Sequence, residues 1–226
     1  MGSELIVFPE LFATGYSFMS KEEAARVCET ANGQTFRTMS GIARELKSFM
    51  AWGYLESDGE NLYNSATLVG PHGELISKYR KINLWGNDFL WAKPGSEPAP
   101  VVTTDIGDLA VIICRDIRDK VPGNIPLHGV DIKRPKMFEQ VDIVAACTNW
   151  GKSGFPTTQW MDFASNNKCT LAISNRWGEE QASNGFSQDF GHGGSIIIEK
   201  DWTCHTQGLV FGQDCVVTAR IEESDG

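Results

Sequence analysis

The chain has no apolar run of roughly eighteen residues, the length a membrane-spanning helix needs. Its first residues carry neither the basic segment nor the apolar core of a secretory leader. No membrane partner is expected. The six cysteines form no Cys-x-x-Cys pair, and several sit in apolar runs such as Val144-Ala145-Ala146-Cys147. That usage excludes a disulfide framework and fits reduced thiols in a cytoplasmic protein. The four histidines, at 72, 128, 192 and 205, lack metal-ligand spacing. Gly191-His192-Gly193-Gly194 has no accompanying Gly-x-Ser-x-Gly and reads as a turn. Positive charge is scarce, with 20 Lys and Arg against 29 Asp and Glu and a net charge of −9. This excludes nucleic acid as an expected partner. No internal repeat or low-complexity segment is present.

What the chain does have is a real core. Hydrophobic residues make up 41% of 226 residues, which predicts a single domain over 1–226. Leu109-Ala110-Val111-Ile112-Ile113 reads as a buried strand, and Cys114 closes it. Leu5-Ile6-Val7-Phe8 is stopped by Pro9 and followed by Glu10; Glu74 to Arg80 leads into Lys81. Strand exits are where α/β folds place reactive groups. A thiolate is a nucleophile, and a lysine beside it is expected to lower its pKa. The lysine also stabilises an oxyanion, and a carboxylate can shuttle protons. Each residue alone has a plainer reading: Cys114 as a packed thiol, Glu10 as a turn cap, Lys81 as part of a solvated face. The three together favour chemistry.

Ser20-Lys21-Glu22-Glu23 predicts a capping box opening a short helix. Phe36, Met39, Ile42, Ala43, Leu46 and Phe49 lie at helical spacing and predict a core-packed stripe. Pro71-His72-Gly73 predicts a hairpin. Residues 88–100 read as a loop, and residues 120–135 as a surface excursion near Cys114. A strand over 141–147, a helix over 157–168 burying Trp160, Phe163 and Ala164, and a strand over 169–174 follow. Strands over 195–198, 208–211 and 215–221 end the chain. This order predicts a layered α/β domain.

Three blocks resemble those of the carbon–nitrogen hydrolases, or nitrilase superfamily. They are Ile6-Val7-Phe8-Pro9-Glu10-Leu11-Phe12-Ala13-Thr14-Gly15-Tyr16, Tyr79-Arg80-Lys81-Ile82-Asn83-Leu84 and Val111-Ile112-Ile113-Cys114-Arg115-Asp116-Ile117-Arg118, in the family's order. Weaker echoes are Leu62-Tyr63-Asn64-Ser65-Ala66, Thr148-Asn149-Trp150, Ser174-Asn175-Arg176-Trp177-Gly178 and Gly193-Gly194-Ser195. The resemblance implies an α-β-β-α sandwich. Only nine residues precede Glu10, so it also implies that the family's usual first strand and helix are lacking. A sheet edge would then be exposed.

The resemblance assigns Glu10 as general base and acid, Cys114 as nucleophile, and Lys81 with the Arg115 N–H as oxyanion donors. Asp88 stands where the family more often has a second Glu. Asn83 replaces a common His, and Arg115 a common aromatic residue. The Trp-Glu that follows the cysteine of many nitrilases is absent, which favours amides over nitriles. Arg115 would bind a substrate carboxylate or pair with Asp119. Trp150 would line the pocket or pack in the core. The implied reaction is hydrolysis of a small amide or N-carbamoyl compound through a Cys thioester, releasing ammonia or an amine, with no cofactor. A homodimer or higher homo-oligomer is implied. The alternatives are an inactive relative serving as a binding or assembly subunit, a nitrile-hydrolysing member, or a Cys–His hydrolase using His192 or His205.

Overall fold

The computed structural model describes residues 2–118, 140–151, 157–191, 193–206 and 212–221. The first sheet has the order β1-β2-β3-β4, formed by Leu5–Val7, Phe49–Ser57, Leu62–Val69 and Leu75–Arg80. β1 runs parallel to β2 and stands at the sheet edge, while β2, β3 and β4 are antiparallel. The second sheet contains β5 (Val101–Thr104), β6 (Gly107–Ile113), β7 (Ile143–Thr148) and β8 (Thr170–Asn175). After a separate β9–β10 hairpin (Glu179–Gln181 and Ser187–Asp189), β11 (Ile196–Ile198) and β12 (Cys204–His205) complete that sheet. Its order is β12-β11-β8-β7-β6-β5, with β6, β7 and β8 parallel at its centre.

The two sheets face each other. Phe49, Ala51, Ala66 and Leu68 of the first share a core with Leu109, Val111, Ala145 and Ile173 of the second. Met50, Trp52 and Tyr54, on the opposite face of β2, pack with Met39 and Ala43 of helix α2 (Gln34–Leu46). Helix α4 (Thr158–Asn167) buries Trp160, Phe163 and Ala164 and lies on β8 and β11. The layers are therefore α-β-β-α. Helices α1 (Lys21–Ala25) and α3 (Asp88–Trp91) are short, and a satellite cluster of Leu11, Tyr16, Ala24, Leu55, Leu62, Trp91 and Phe190 lies around them. No helix among the described residues is long and apolar enough to cross a membrane.

Local physics explains most boundaries. Ser20 caps α1 by accepting from the Glu23 N–H, as the capping box predicts. Lys47 ends α2 in the left-handed conformation, with φ 54°. Phe49 therefore starts β2 and does not continue the helical stripe, and Ile42 and Leu46 are exposed. The β2 strand escapes the periodicity reading because both of its faces are buried, so no alternation shows. Residues 88–91 form α3 inside the segment read as a loop. Residues 215–221, read as a strand, form none. The expected excursion over 120–135 and strand over 208–211 lie outside the described residues, as does His192.

Candidate active site

Glu10, Lys81 and Cys114 come together where strands from both sheets end. Cys114 follows β6 as the first residue of a 3₁₀ turn over Cys114–Ile117. Its φ is +43°, which a non-glycine residue adopts only under constraint. Lys81 follows β4, and its N–H donates to the Asn64 carbonyl at 2.8 Å. Glu10 lies three residues past β1, in a turn held against β2 by the Gly53 N–H, which donates to the Pro9 carbonyl at 3.3 Å. A side chain at Gly53 would put its Cβ 2.7 Å from both Glu10 Cα and Leu11 N, so only glycine lets the turn approach this closely.

The charges are buried and paired. Lys81 Nζ lies 2.6 Å from Glu10 Oε1 and 2.6 Å from Asp88 Oδ2. Asn64 Nδ2 donates to Glu10 Oε1 at 2.7 Å and to Asp88 Oδ1 at 3.2 Å. The Trp85 N–H also donates to Asp88 Oδ2 at 3.1 Å. None of these four side chains is more than 1% exposed. Asp88 is shorter than the expected Glu, yet α3 brings it within reach of the lysine. Both its oxygens are engaged, which fits orienting Lys81 better than carrying protons. Glu10 differs, since its Oε2 has no hydrogen-bond partner among the described residues.

One ammonium faces two carboxylates, and that balance sets the electrostatics. Burial pushes the Glu10 carboxyl up, against the pull of Lys81. Burial alone would lower Lys81, but Asp88 and Glu10 outweigh it and raise it well above the ordinary value. The Cys114 thiol is pushed up strongly by burial and by the Glu10 charge. Lys81 and the Asn149 N–H pull it down but do not prevail. Lys81 thus lowers the thiol as expected, but burial first and the Glu10 charge second outweigh it. Cys114 rests as a thiol beside a potential base.

Arg115 is half-buried at the second position of the 3₁₀ turn, while Asp119 lies outside the described residues. Trp150 is 8% exposed and belongs to the inter-sheet core with Cys114. Its ring meets Trp160 edge-on at 5.7 Å, and the Arg118 guanidinium lies 5.0 Å above it. His205 pairs with Glu199 in the β11–β12 hairpin at 2.5 Å. A cleft of about 390 Å³ lined by Pro9, Phe12, Arg176, Trp177 and Asp214 includes none of Glu10, Lys81 and Cys114.

Sequence reasoning left several participants without a role. Asn83, read as a departure from a common His, donates its N–H and its side chain to Asp116 at 2.9 and 2.8 Å. This ties the lysine segment to the cysteine turn. Asn64 sits mid-strand, where no local signal marks it. Asn149 and Arg176 each lie one residue past a parallel strand, the position that singled out Cys114, and that rule could have found them.

The family model described as Carbon-nitrogen hydrolase matches residues 1–120. A nitrilase of Pyrococcus abyssi is 38% identical over 133 residues, covering 58% of this chain and 50% of its own length. A chloroplastic omega-amidase of Arabidopsis thaliana is 28% identical over 190 residues, covering 70% of this chain and 52% of its own length. The chain thus spans about half the length of these two relatives. Among solved structures, a cysteine-to-alanine mutant of the amidase from Nesterenkonia sp. AN1 in complex with butyramide superposes with a TM-score of 0.71 at 23% identity. The match covers 92% of this chain and 75% of that one, and shows a shared fold.

Proposed function

Because the chain belongs to the carbon–nitrogen hydrolase family, we propose that it hydrolyses a small amide or N-carbamoyl compound through a Cys114 thioester. The observation that carries this reading is the buried Glu10–Lys81–Asp88 cluster acting electrostatically on Cys114, a thiol at a strained strand exit. Such a cluster is costly to bury. Two groups raised by burial at one site, a carboxyl and a thiol, are the pattern expected of a base and the nucleophile it activates.

Glu10 takes the thiol proton as sulfur attacks the carbonyl carbon, so no free thiolate need accumulate. Lys81 Nζ and the Arg115 N–H stabilise the tetrahedral oxyanion, each such donor being worth about 3–4 kcal/mol of barrier. The intermediate collapses as Glu10 returns the proton to the leaving nitrogen, releasing ammonia or an amine. Glu10 then removes a proton from water, which attacks the thioester. The acid leaves, and the proton returns to sulfur. Every step uses groups of this chain and needs no cofactor.

The butyramide bound by the structural relative makes short aliphatic amides the first substrates to try. The Pyrococcus relative, named a nitrilase, favours a second reading, hydrolysis of a nitrile by the same cysteine. We further place the protein in the cytoplasm as a homodimer or higher homo-oligomer, in keeping with its reduced cysteines and with the family.

Ammonia release from amides and nitriles, with mass spectrometry of the acyl-enzyme, tests the reading. Wild-type protein should release ammonia and carry an acyl adduct on Cys114, and Cys114→Ala should do neither while keeping its fold. Turnover persisting in Cys114→Ala would sink the proposal. No turnover by folded wild type with any substrate would favour an inactive binding or assembly subunit.

A further inference from the structure

Arg176 leaves the exit of β8, on the opposite sheet from the Glu10 turn, and its guanidinium donates in three directions. Nη2 reaches the carbonyls of Glu10 at 3.2 Å and Leu11 at 2.9 Å. Nε reaches Asn149 Oδ1 at 3.0 Å, and Nη1 reaches Glu180 Oε2 at 3.0 Å. Glu180 Oε1 in turn accepts the N–H groups of Tyr16 at 2.7 Å and Ser17 at 2.9 Å. Arg176 therefore holds the turn that carries Glu10 directly at Glu10 and Leu11, and through Glu180 at Tyr16 and Ser17. It also secures the residue whose N–H donates to the Cys114 sulfur.

The parts it holds are ones that need holding. Leu11 has a left-handed φ of 48°, a costly conformation for leucine, and its carbonyl is one the guanidinium fixes. Asn149 is 4% exposed. Arginine has donors only, so the amide oxygen must face it. Nδ2 is thereby turned the other way, buried and without an acceptor among the described residues. Glu10 Oε2 is also buried and unpartnered among them. Both atoms belong to residues that Arg176 fixes, one on each sheet.

We propose that Arg176 is a positioning residue that clamps the Glu10 turn to the Asn149 strand exit, and so sets the geometry between Glu10 and Cys114. The proposal rests on reading Glu10 as base and Cys114 as nucleophile. A planar fork of five donors suits this task, and a lysine cannot serve all these acceptors at once.

The test is the rate of Cys114 alkylation by iodoacetamide across pH, read by peptide mass spectrometry. It needs no substrate. Wild type is compared with Arg176→Met, Arg176→Lys, Glu10→Gln and the double variant Glu10→Gln/Arg176→Met. At neutral pH, where the thiol needs a base to take its proton, each single variant is expected to label Cys114 about tenfold more slowly or worse, since small misplacement of a base is costly. Glu10→Gln alone should also move the alkaline onset to lower pH, because its charge no longer opposes the thiolate. The double variant should label no more slowly than Glu10→Gln, because Arg176 acts through Glu10. Fully buried Cys147 and Cys169 should stay unlabelled in all, which controls for the fold, and exposed Cys204 should label equally. Should both Arg176 variants unfold, Glu180→Gln, which loosens only the outer arm, should still slow Cys114 about two- to fivefold. Equal Cys114 rates in wild type and Arg176→Lys, an unchanged rate in Glu180→Gln, or losses that multiply in the double variant would overturn the clamp. Missing amide turnover in wild type would overturn the functional reading instead, leaving these rates to judge Arg176.

Discussion

Lys81 is one ammonium between two buried carboxylates, and this fixes what its loss should do. Lys81→Met leaves Glu10 and Asp88 buried without their cation, a change that typically costs about 3–5 kcal/mol. Denaturant unfolding should show that loss at neutral pH and part of it recovered in acid, where the Glu10 carboxyl, already raised by burial, protonates. Asp88→Asn removes a charge that pushes the Cys114 thiol upward, so the alkaline onset of Cys114 alkylation should move to lower pH. Asp116 makes a separate prediction. Burial pushes its carboxyl up to about 6 from 3.8, despite the donors of Asn83. Between these values the folded chain binds the proton more readily than the unfolded one. This group's contribution to stability therefore falls as pH rises through about 4 to 6 and stays unfavourable above. Asp116→Asn keeps an acceptor for Asn83 and removes the penalty. It should stabilise the protein at pH 7 by up to about 3 kcal/mol, with little effect at pH 4. An equal or lower melting temperature at pH 7 would contradict this.

At the scale of elements, each candidate group is delivered by the end of a strand, so precision depends on how strand ends are held. Gly53 is the sharpest case. Gly53→Ala should force β2 and the Glu10 turn apart, at a cost of about 1–3 kcal/mol. Its turnover should fall much more than its folded fraction does, as comparison of kcat with unfolding curves would reveal. The sequence made β6, β7, β8, α1 and α4 legible, because an apolar run, a capping box and a helical stripe are local signals. It did not make β2 legible. Phe49 continues the i, i+3 spacing from Leu46, and only the left-handed turn at Lys47 shows that the helix has ended. Helix α3 is a single turn whose role is positional, and four residues carry too little periodicity to be read.

At the scale of the whole molecule, the two sheets are held by apolar contact across the inner layer, and the site stands where that layer ends. Leu68 is fully buried there. Leu68→Ala should cost about 2–5 kcal/mol and lower the thermal midpoint, while leaving activity per folded molecule close to wild type. A disproportionate loss of activity would mean that the layer spacing itself tunes the site. The sequence by itself determined the layer class and the three strand-exit residues Glu10, Lys81 and Cys114, because apolar runs and the residues ending them are properties of short segments. Tertiary structure alone decided that Lys81 divides its charge between Glu10 and Asp88. It also decided that burial and the Glu10 charge push the Cys114 thiol up, that Asn64 bridges the two carboxylates, and that Arg176 spans from one sheet to the other. These depend on distances between segments far apart in the chain, and electrostatic balance in a buried site is set by such distances and by the exclusion of water.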